Sequence, residues 1–223
     1  MHLLALTCEA LTRPVYHFAA HSPHMVDIEL VSRNLHQPAD IRARLQQHLE
    51  AHAHDQLDAI LLVFGLCGQA TAGLSAKGIP LVIPRAHDCI TLILGSRDAY
   101  LQENKKEPGT YWYSQDYLER NAGKSAALTM GATTGDDAQA LYQRYVEKYG
   151  QTRADRLMQV MNDWLTHYKR AVYLDTGLGG DGHVGRLDGE PLRGPDHGPE
   201  LSHLRLGGRP TAERLAVATE RVQ

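Results

Sequence analysis

The chain has 223 residues, of which 43% are hydrophobic, enough to bury the core of one α/β domain. Its formal net charge of -3 excludes the strongly basic surface that binds nucleic acid. Apolar runs stay well short of the roughly 20 residues that cross a bilayer, and the N-terminus has no basic flank or cleavage site. We therefore expect a cytoplasmic protein that binds neither nucleic acid nor membranes.

The first half of the chain alternates predicted strands with predicted helices. Apolar or alternating runs predict strands at residues 2–7, 25–31, 59–64 and 79–83. Helical spacing follows at residues 9–20 and 39–54, in a short segment before Gly78, and from Cys89 through Leu94. This order predicts an α/β fold with right-handed crossovers and a mainly parallel, doubly wound sheet covered by helices on both faces.

The second half of the chain is less regular. Residues 110–113 predict an aromatic strand, residues 136–149 and 153–169 predict helices, and residues 171–174 predict a last strand. From residue 178 the composition shifts towards Gly, Pro, Arg and His. We expect a single α/β domain over residues 1–177 and a partly irregular C-terminal tail over residues 178–223.

Three cysteines occupy equivalent places in this pattern. Cys8 ends the first predicted strand, Cys67 follows the third, and Cys89 opens a helix after the fourth. Singly, each is more typical of a core residue than of a ligand. Because parallel strands end at one edge of a sheet, where ligands bind, the shared position predicts that the three thiols converge. An odd number of cysteines without a secretion signal favours free thiols over disulfides.

Thiolates and imidazoles are the usual ligands of zinc, iron and iron–sulfur centres. The sequence therefore predicts a zinc or iron site, with an iron–sulfur cluster as one form, held by Cys8, Cys67, Cys89 and His87. Helix N-termini are expected to lower the pKa of cysteines placed there and to ease their deprotonation. His48 and His52 also have metal-ligand spacing, but a solvated helix face is the favoured interpretation for that pair.

Six further residues are predicted to line a substrate pocket at this edge: Gly65, Gly68, Arg85, Asp88, Tyr111 and Asp175. The two glycines let the backbone approach a bulky ligand closely. Arg85 and Asp88 either bind an anionic substrate and act as a base or an orienting group, or pair with each other as a structural cap, and the cap is slightly favoured. The aromatic strand supplies Tyr111, and the carboxylate after the last strand joins the same edge if that strand runs parallel.

Four segments carry a family resemblance: residues 62–68 (LVFGLCG), 79–90 (IPLVIPRAHDCI), 94–97 (LGSR) and 108–111 (PGTY). Over about residues 1–177 the chain resembles the family catalogued as domain of unknown function 1638. Members of that family are often encoded beside corrinoid-dependent methyltransferases that act on methylated amines, so the resemblance implies a role in one-carbon or methylamine metabolism. Beyond residue 177 the chain departs from the family pattern, and a frameshift near residue 178 is one explanation.

Three functions remain open at this point. The first is a metal-binding protein that assists corrinoid-dependent methyl transfer, with an open fourth ligand position for a substrate. The second is a non-catalytic accessory protein that holds a corrinoid or a partner protein, which the lack of an obvious general base favours. The third is a metal-free enzyme with Cys67 or Cys89 as nucleophile and His87 as base. The expected partner is a small molecule or a corrinoid protein, and the sequence leaves open the oligomeric state and whether the protein is catalytic.

Overall fold

A computed structural model gives the structure of the chain. It describes residues 1–32, 38–119, 135–165, 170–179, 186–187, 190–191, 201–205 and 219–222. The chain divides into a first unit of residues 1–102, 175–180 and 205–223 and a second unit of residues 103–174 and 181–204. The prediction of a single domain over residues 1–177 stays a prediction.

A five-stranded sheet forms the centre of the first unit. Its strands are β1 (His2–Cys8), β2 (Met25–Val31), β3 (Ala59–Val63), β4 (Leu81–Pro84) and β10 (Thr219–Val222). They lie in the order β10-β4-β3-β1-β2. The first four strands are parallel, and β10 runs antiparallel to β4. Because β2 lies on one side of β1 and β3 on the other, the topological switch point falls between β1 and β3.

Helices cover both faces of this sheet. After a 3-10 turn at Glu9–Leu11 come α1 (Thr12–Ala20), α2 (Pro38–Ala51), α3 (Cys89–Leu94) and the start of α4 (Arg97–Lys106). From α2, Leu45 and Leu49 pack against Leu4 and Leu6 of β1, on one face of the sheet. The alternate residues of β1 are buried on the other face, and α1 lies against β1 and β2. The predicted doubly wound α/β fold is confirmed.

The connection between β3 and β4 differs from the short helix that the sequence predicts. It consists of turns, in which the backbone φ angle is positive at Cys67, Gly68 and Gln69 and again at Gly73, Lys77 and Gly78. A right-handed helix requires negative φ, so this segment cannot continue as one. Within it, the backbone N–H of Ala70 donates to the carbonyl of Leu66 at 2.8 Å. We call residues 66–70 the Cys67 turn.

The second unit has its own sheet. There β5 (Thr110–Ser114) pairs in parallel with β6 (Arg170–Asp175), and β9 (Leu201–Arg205) lies next to β6. The helices are α5 (Gln115–Glu119), α6 (Gly135–Tyr149) and α7 (Gln151–Leu165), and β7 (Arg186–Leu187) pairs with β8 (Glu190–Pro191). The short strands β7 to β10 fall in the predicted tail, whose other residues after 179 lie outside the described ranges.

No helix in the described ranges is both long enough and apolar enough to cross a membrane.

Candidate thiol site

The three cysteines lie at the carboxyl ends of three neighbouring parallel strands. Cys8 is the last residue of β1, Cys67 lies four residues beyond the end of β3, and Cys89 lies five residues beyond the end of β4. Since β1, β3 and β4 are adjacent in the sheet, their ends meet at one edge, and the switch point falls between Cys8 and Cys67. None of these three cysteines forms a disulfide bond. We call these three residues the thiol site.

The thiols are close enough to perturb one another. Burial, followed by the charges of Cys8 and Asp88, raises the pKa of Cys67 to about 12. Cys89 is partly exposed as a residue, but its sulfur is surrounded by protein, and burial, Cys8, Cys67 and Asp88 raise its pKa well above the ordinary value. The expectation that helix N-termini lower these pKa values is therefore wrong. Desolvation and the neighbouring negative charges outweigh the dipole of the six-residue α3.

Two backbone hydrogen bonds join the Cys67 turn to the loop that precedes α3. The N–H of Leu66 donates to the carbonyl of Ala86 at 2.9 Å, and the N–H of Cys67 donates to the carbonyl of His87 at 2.8 Å. Backbone bonds fix loop positions independently of side-chain rotamers. The two loops that carry Cys67 and Cys89 are therefore held together as one backbone structure.

A close backbone contact lies beside these bonds. A Cβ atom added at Gly65 would sit 2.4 Å from both Cα and N of Asp88, so only glycine fits there. The Asp88 carboxylate accepts hydrogen bonds from the N–H of Thr91 at 2.8 Å and from its hydroxyl at 2.9 Å. Asp88 thus caps the N-terminus of α3 through Thr91, whereas the predicted pairing of Asp88 with Arg85 stays a prediction. Gly68 adopts a left-handed conformation, with φ of 67°.

The other predicted site residues have different surroundings. His87 and Arg85 are exposed, and the His87 ring centroid lies 5.9 Å from that of Tyr100. Tyr111 is buried within β5 of the second unit. Asp175 ends β6, which pairs with β5 instead of joining the five-stranded sheet, and its carboxylate accepts from the backbone N–H two residues later. The shared-edge argument therefore does not extend to Asp175, and its place in the pocket stays a prediction.

In the described ranges, no group of three or more His, Cys, Asp or Glu side chains is arranged so that it is able to hold a metal ion. The donors are gathered at one edge without yet surrounding a common point. The metal site formed by Cys8, Cys67, Cys89 and His87 accordingly stays a prediction.

Contacts from α2 to the connection between β3 and β4 are not predicted by the sequence. Arg42 donates from Nη2 to the carbonyl of Gln69 at 2.6 Å. Gln46 exchanges two hydrogen bonds of 3.1 Å with the backbone of Ser75. One signal is available in the sequence, because Arg42 directly follows Ile41, which has helical apolar spacing with Leu45 and Leu49, and so lies at the border of the buried helix face.

The histidine pair of α2 contacts β2 rather than solvent alone. His48 Nδ1 lies 2.6 Å from one carboxylate oxygen of Glu29, and His52 Nε2 lies 2.8 Å from the other. The second ring nitrogen of His52 lies 2.6 Å from the carboxylate of Asp55. The favoured interpretation of a solvated helix face is therefore wrong for these two residues, which link α2 to β2.

Fold and site together define an α/β protein with a thiol cluster at the switch point of a parallel sheet. The model of a family described as "Protein of unknown function (DUF1638)" matches residues 30–186, more than half of the chain, and the chain belongs to that family. No curated protein matches. A solved structure titled "Crystal structure of sugar transporter from Clostridium phytofermentans" is 14% identical, with 78% of this chain and 80% of that chain covered. Its TM-score of 0.31 is too low to carry an argument.

Proposed function

We propose that this protein binds zinc or iron, the latter alone or in an iron–sulfur cluster, through the thiol site, and that it serves one-carbon or methylamine metabolism. The observation that carries the proposal is the position of Cys8, Cys67 and Cys89 at the ends of three adjacent parallel strands. Ligands of doubly wound sheets bind beyond these strand ends, at the switch point. The metabolic context, with a small molecule or corrinoid protein as partner, comes from the family resemblance, and the proposal includes the cytoplasmic location expected from the sequence.

The chemistry of the donors fits a thiophilic metal. Thiolates are soft ligands that zinc and iron centres favour, and three of them leave one position open for a fourth ligand. In the metal-free chain, burial and mutual repulsion keep the pKa values of Cys67 and Cys89 high. A bound cation reverses both penalties, because it replaces the thiol protons and attracts the thiolates. Binding requires the side chains to rotate towards a common point.

His87 is the residue best placed to supply the fourth ligand or to support it. Its backbone carbonyl is fixed to Cys67, while its imidazole is exposed and lies beside Tyr100. The ring is therefore able to turn without disturbing the loop. A labile fourth ligand is what a site needs if a substrate thiol or water is to reach the metal.

The metal-free nucleophile is the less favoured alternative. A cysteine nucleophile works as the thiolate, whereas the raised pKa values keep Cys67 and Cys89 protonated at neutral pH. The non-catalytic accessory protein keeps one specific observation in its favour. Leu66, next to Cys67, is 48% exposed and offers an apolar contact to a corrinoid or a partner protein at this edge.

Metal and acid-labile sulfide analysis of anaerobically purified protein tests the proposal. We expect near-stoichiometric zinc or iron in the wild type and its loss in the triple variant Cys8→Ser, Cys67→Ser, Cys89→Ser. The matched control is the double variant His48→Gln, His52→Gln, which removes the other pair with metal-ligand spacing and should keep the metal. Circular dichroism establishes that each variant is folded.

Two results would overturn the proposal. One is wild-type protein that holds no metal as purified and binds none when zinc or iron is added under reducing conditions. The other is metal content that survives in the folded triple variant but disappears with the histidine pair. Acid-labile sulfide in step with iron identifies a cluster, and its absence identifies a mononuclear site.

A further inference from the structure

Arg42 is held against the backbone that carries Cys67. Its Nη2 atom bonds to the carbonyl of Gln69, two residues after Cys67, at 2.6 Å. One helical turn further along α2, Gln46 bonds twice to the backbone of Ser75. The helix is thus joined to the connection between β3 and β4 at two points, one of them in the Cys67 turn. The guanidinium occupies a defined place beside the thiol-bearing turn.

The Nε atom of Arg42 is buried and, among the described residues, has no hydrogen-bond partner. Nor does a carboxylate in the described ranges form an ion pair with this guanidinium. The carboxylate of the neighbouring loop, Asp88, is engaged in capping α3. A buried N–H donor on a permanent cation is costly to leave unpaired, and native structures rarely do so unless water, an ion or a ligand supplies the acceptor.

We propose that Arg42 binds an oxyanion, either a carboxylate or a phosphate group, on the molecule that occupies the thiol site. The Nε–H and an Nη–H of a guanidinium form two parallel donors whose spacing fits two oxygens of such a group. The unpaired Nε supplies the first of these donors. The inference rests on the proposed function in one respect, which is that the same molecule reaches Cys67.

This arrangement lets the carboxyl-terminal edge of the five-stranded sheet recognise a ligand in two ways. The thiols, or a metal held by them, interact with the reactive part of the molecule, while Arg42 fixes an anionic group beside the Cys67 turn. Because the turn is tied to α2 and to the loop before α3, the distance between the two contacts is set by the backbone. A fixed distance selects ligands of one length, which is how a small number of polar groups gives a pocket its specificity.

Alkylation of the metal-free full chain by two related reagents tests the inference. A thiolate attacks the methylene carbon of iodoacetate or iodoacetamide, an S–C bond forms, iodide leaves, and the thiol proton is released to solvent. Iodoacetate alone carries a carboxylate, so the ratio of the two rates at Cys67, measured by peptide mass spectrometry, reports recognition of that group. We expect the ratio to fall roughly tenfold in Arg42→Gln. Arg42→Lys keeps the charge but loses the paired donors, so its ratio of rates should lie between those of the wild type and Arg42→Gln.

The matched control is Arg44→Gln, on the same helix. Arg44 is exposed and bonds to Gln47, so its removal changes the net charge equally without touching the Cys67 turn. An unchanged ratio in natively folded Arg42→Gln would overturn the inference, and so would an equal fall in Arg44→Gln, which would indicate general charge attraction.

Competition separates the two oxyanions. The class of the ligand is identified by whichever anion, inorganic phosphate or acetate, slows alkylation of Cys67 by iodoacetate in the wild type but not in Arg42→Gln. Failure of both anions to slow this alkylation would count against the inference. The metal content of Arg42→Gln is measured separately and should equal that of the wild type. Wild type that binds no added zinc or iron but keeps its preference for iodoacetate would remove the proposed metal site and leave the anion site standing.

Discussion

The backbone contact at Gly65 shows how a single residue holds the thiol site together. The two loops that carry Cys67 and Cys89 approach so closely that Gly65 faces the backbone of Asp88 with no room for a side chain. Gly65 does not require a left-handed conformation, so its role is to leave space. Asp88 in turn caps α3 and lies next to Cys89. The position of one thiol therefore depends on the absence of a methyl group in the opposite loop.

Gly65→Ala is expected to lower the free energy of unfolding by about 1–3 kcal/mol, because the backbone of Asp88 must move. It should also speed alkylation of Cys89 as the loops separate. The control is Gly73→Ala, where no atom lies within 4 Å of the new methyl group and φ is +76°, so the cost is backbone strain of roughly 1–2 kcal/mol without a change at the thiols. Urea unfolding and alkylation rates measure both effects, and Cys89 reactivity that is equal in the two variants would contradict the contact.

At the level of elements, Glu29 of β2 and its partners His48 and His52 of α2 form a bridge between the sheet and the helix that carries Arg42. Burial raises the pKa of Glu29, but the hydrogen bonds and charges of His52 and His48 outweigh it, and the net pKa is lowered from 4.5. The pKa of His52 is raised from 6.5, first by its hydrogen bond to Asp55 and then, against the effect of burial, by Glu29. The ionised bridge is therefore complete where Glu29 is charged and His52 is protonated.

These pKa shifts predict a pH-dependent contribution to stability. The lowered pKa of Glu29 contributes stability that is present above pH 4.5 and is lost as the pH falls through the pKa of Glu29 in the folded protein. The raised pKa of His52 contributes stability that is present below pH 6.5 and is lost as the pH rises through the pKa of His52 in the folded protein. Because Glu29 is about a third exposed, Glu29→Gln should cost only about 0.5–1 kcal/mol, mostly between these values. Urea unfolding at several pH values measures the profile. The more exposed Asp27→Asn, with one histidine partner, should cost less, and a loss in Glu29→Gln that does not vary with pH would refute the bridge.

Local sequence patterns predict some of the strands and helices of the structure and miss others. The predicted strand at residues 25–31 coincides with β2, and those at 2–7 and 59–64 differ from β1 and β3 by one residue. These strands could be predicted because their burial requires a run of apolar or alternating residues in the sequence. No helix was predicted at α4, whose residues are not buried, so the sequence has no apolar stripe there. The segment after Cys67 was predicted as a helix from its small residues, whereas positive φ angles and bonds from α2 decide its structure.

The candidate site divides in the same way. The placement of three thiols at strand ends could be predicted, since it needs only the strand bounds and the rule for parallel sheets. The raised pKa values and the unpaired Nε of Arg42 could not, because they depend on which groups surround an atom after folding. The cap that Asp88 forms on α3 could be predicted, because an Asp immediately before an apolar run is a local signal.

On the scale of the whole molecule, the C-terminal segment returns to the sheet that the N-terminus begins. Residues 219–222 form β10 and pair antiparallel with all of β4, so they cover the edge of the sheet on that side. An uncovered edge strand exposes unpaired backbone groups and is prone to associate with other chains. This pairing gives the segment after residue 178 a structural role, which a tail produced by a frameshift has no reason to possess.

Deletion of residues 219–223 should therefore lower the free energy of unfolding by roughly 1–3 kcal/mol, the sum of the cross-strand pairs lost, and should promote self-association through β4. Deletion of Gln223 alone is the control, because it shortens the chain without removing a residue of β10, and it should leave stability unchanged. Urea unfolding and sedimentation velocity measure the two effects. If the deletion of residues 219–223 left the protein as stable and as monodisperse as the control, β10 would not protect the β4 edge of the sheet. That result would favour a tail without a role in the fold.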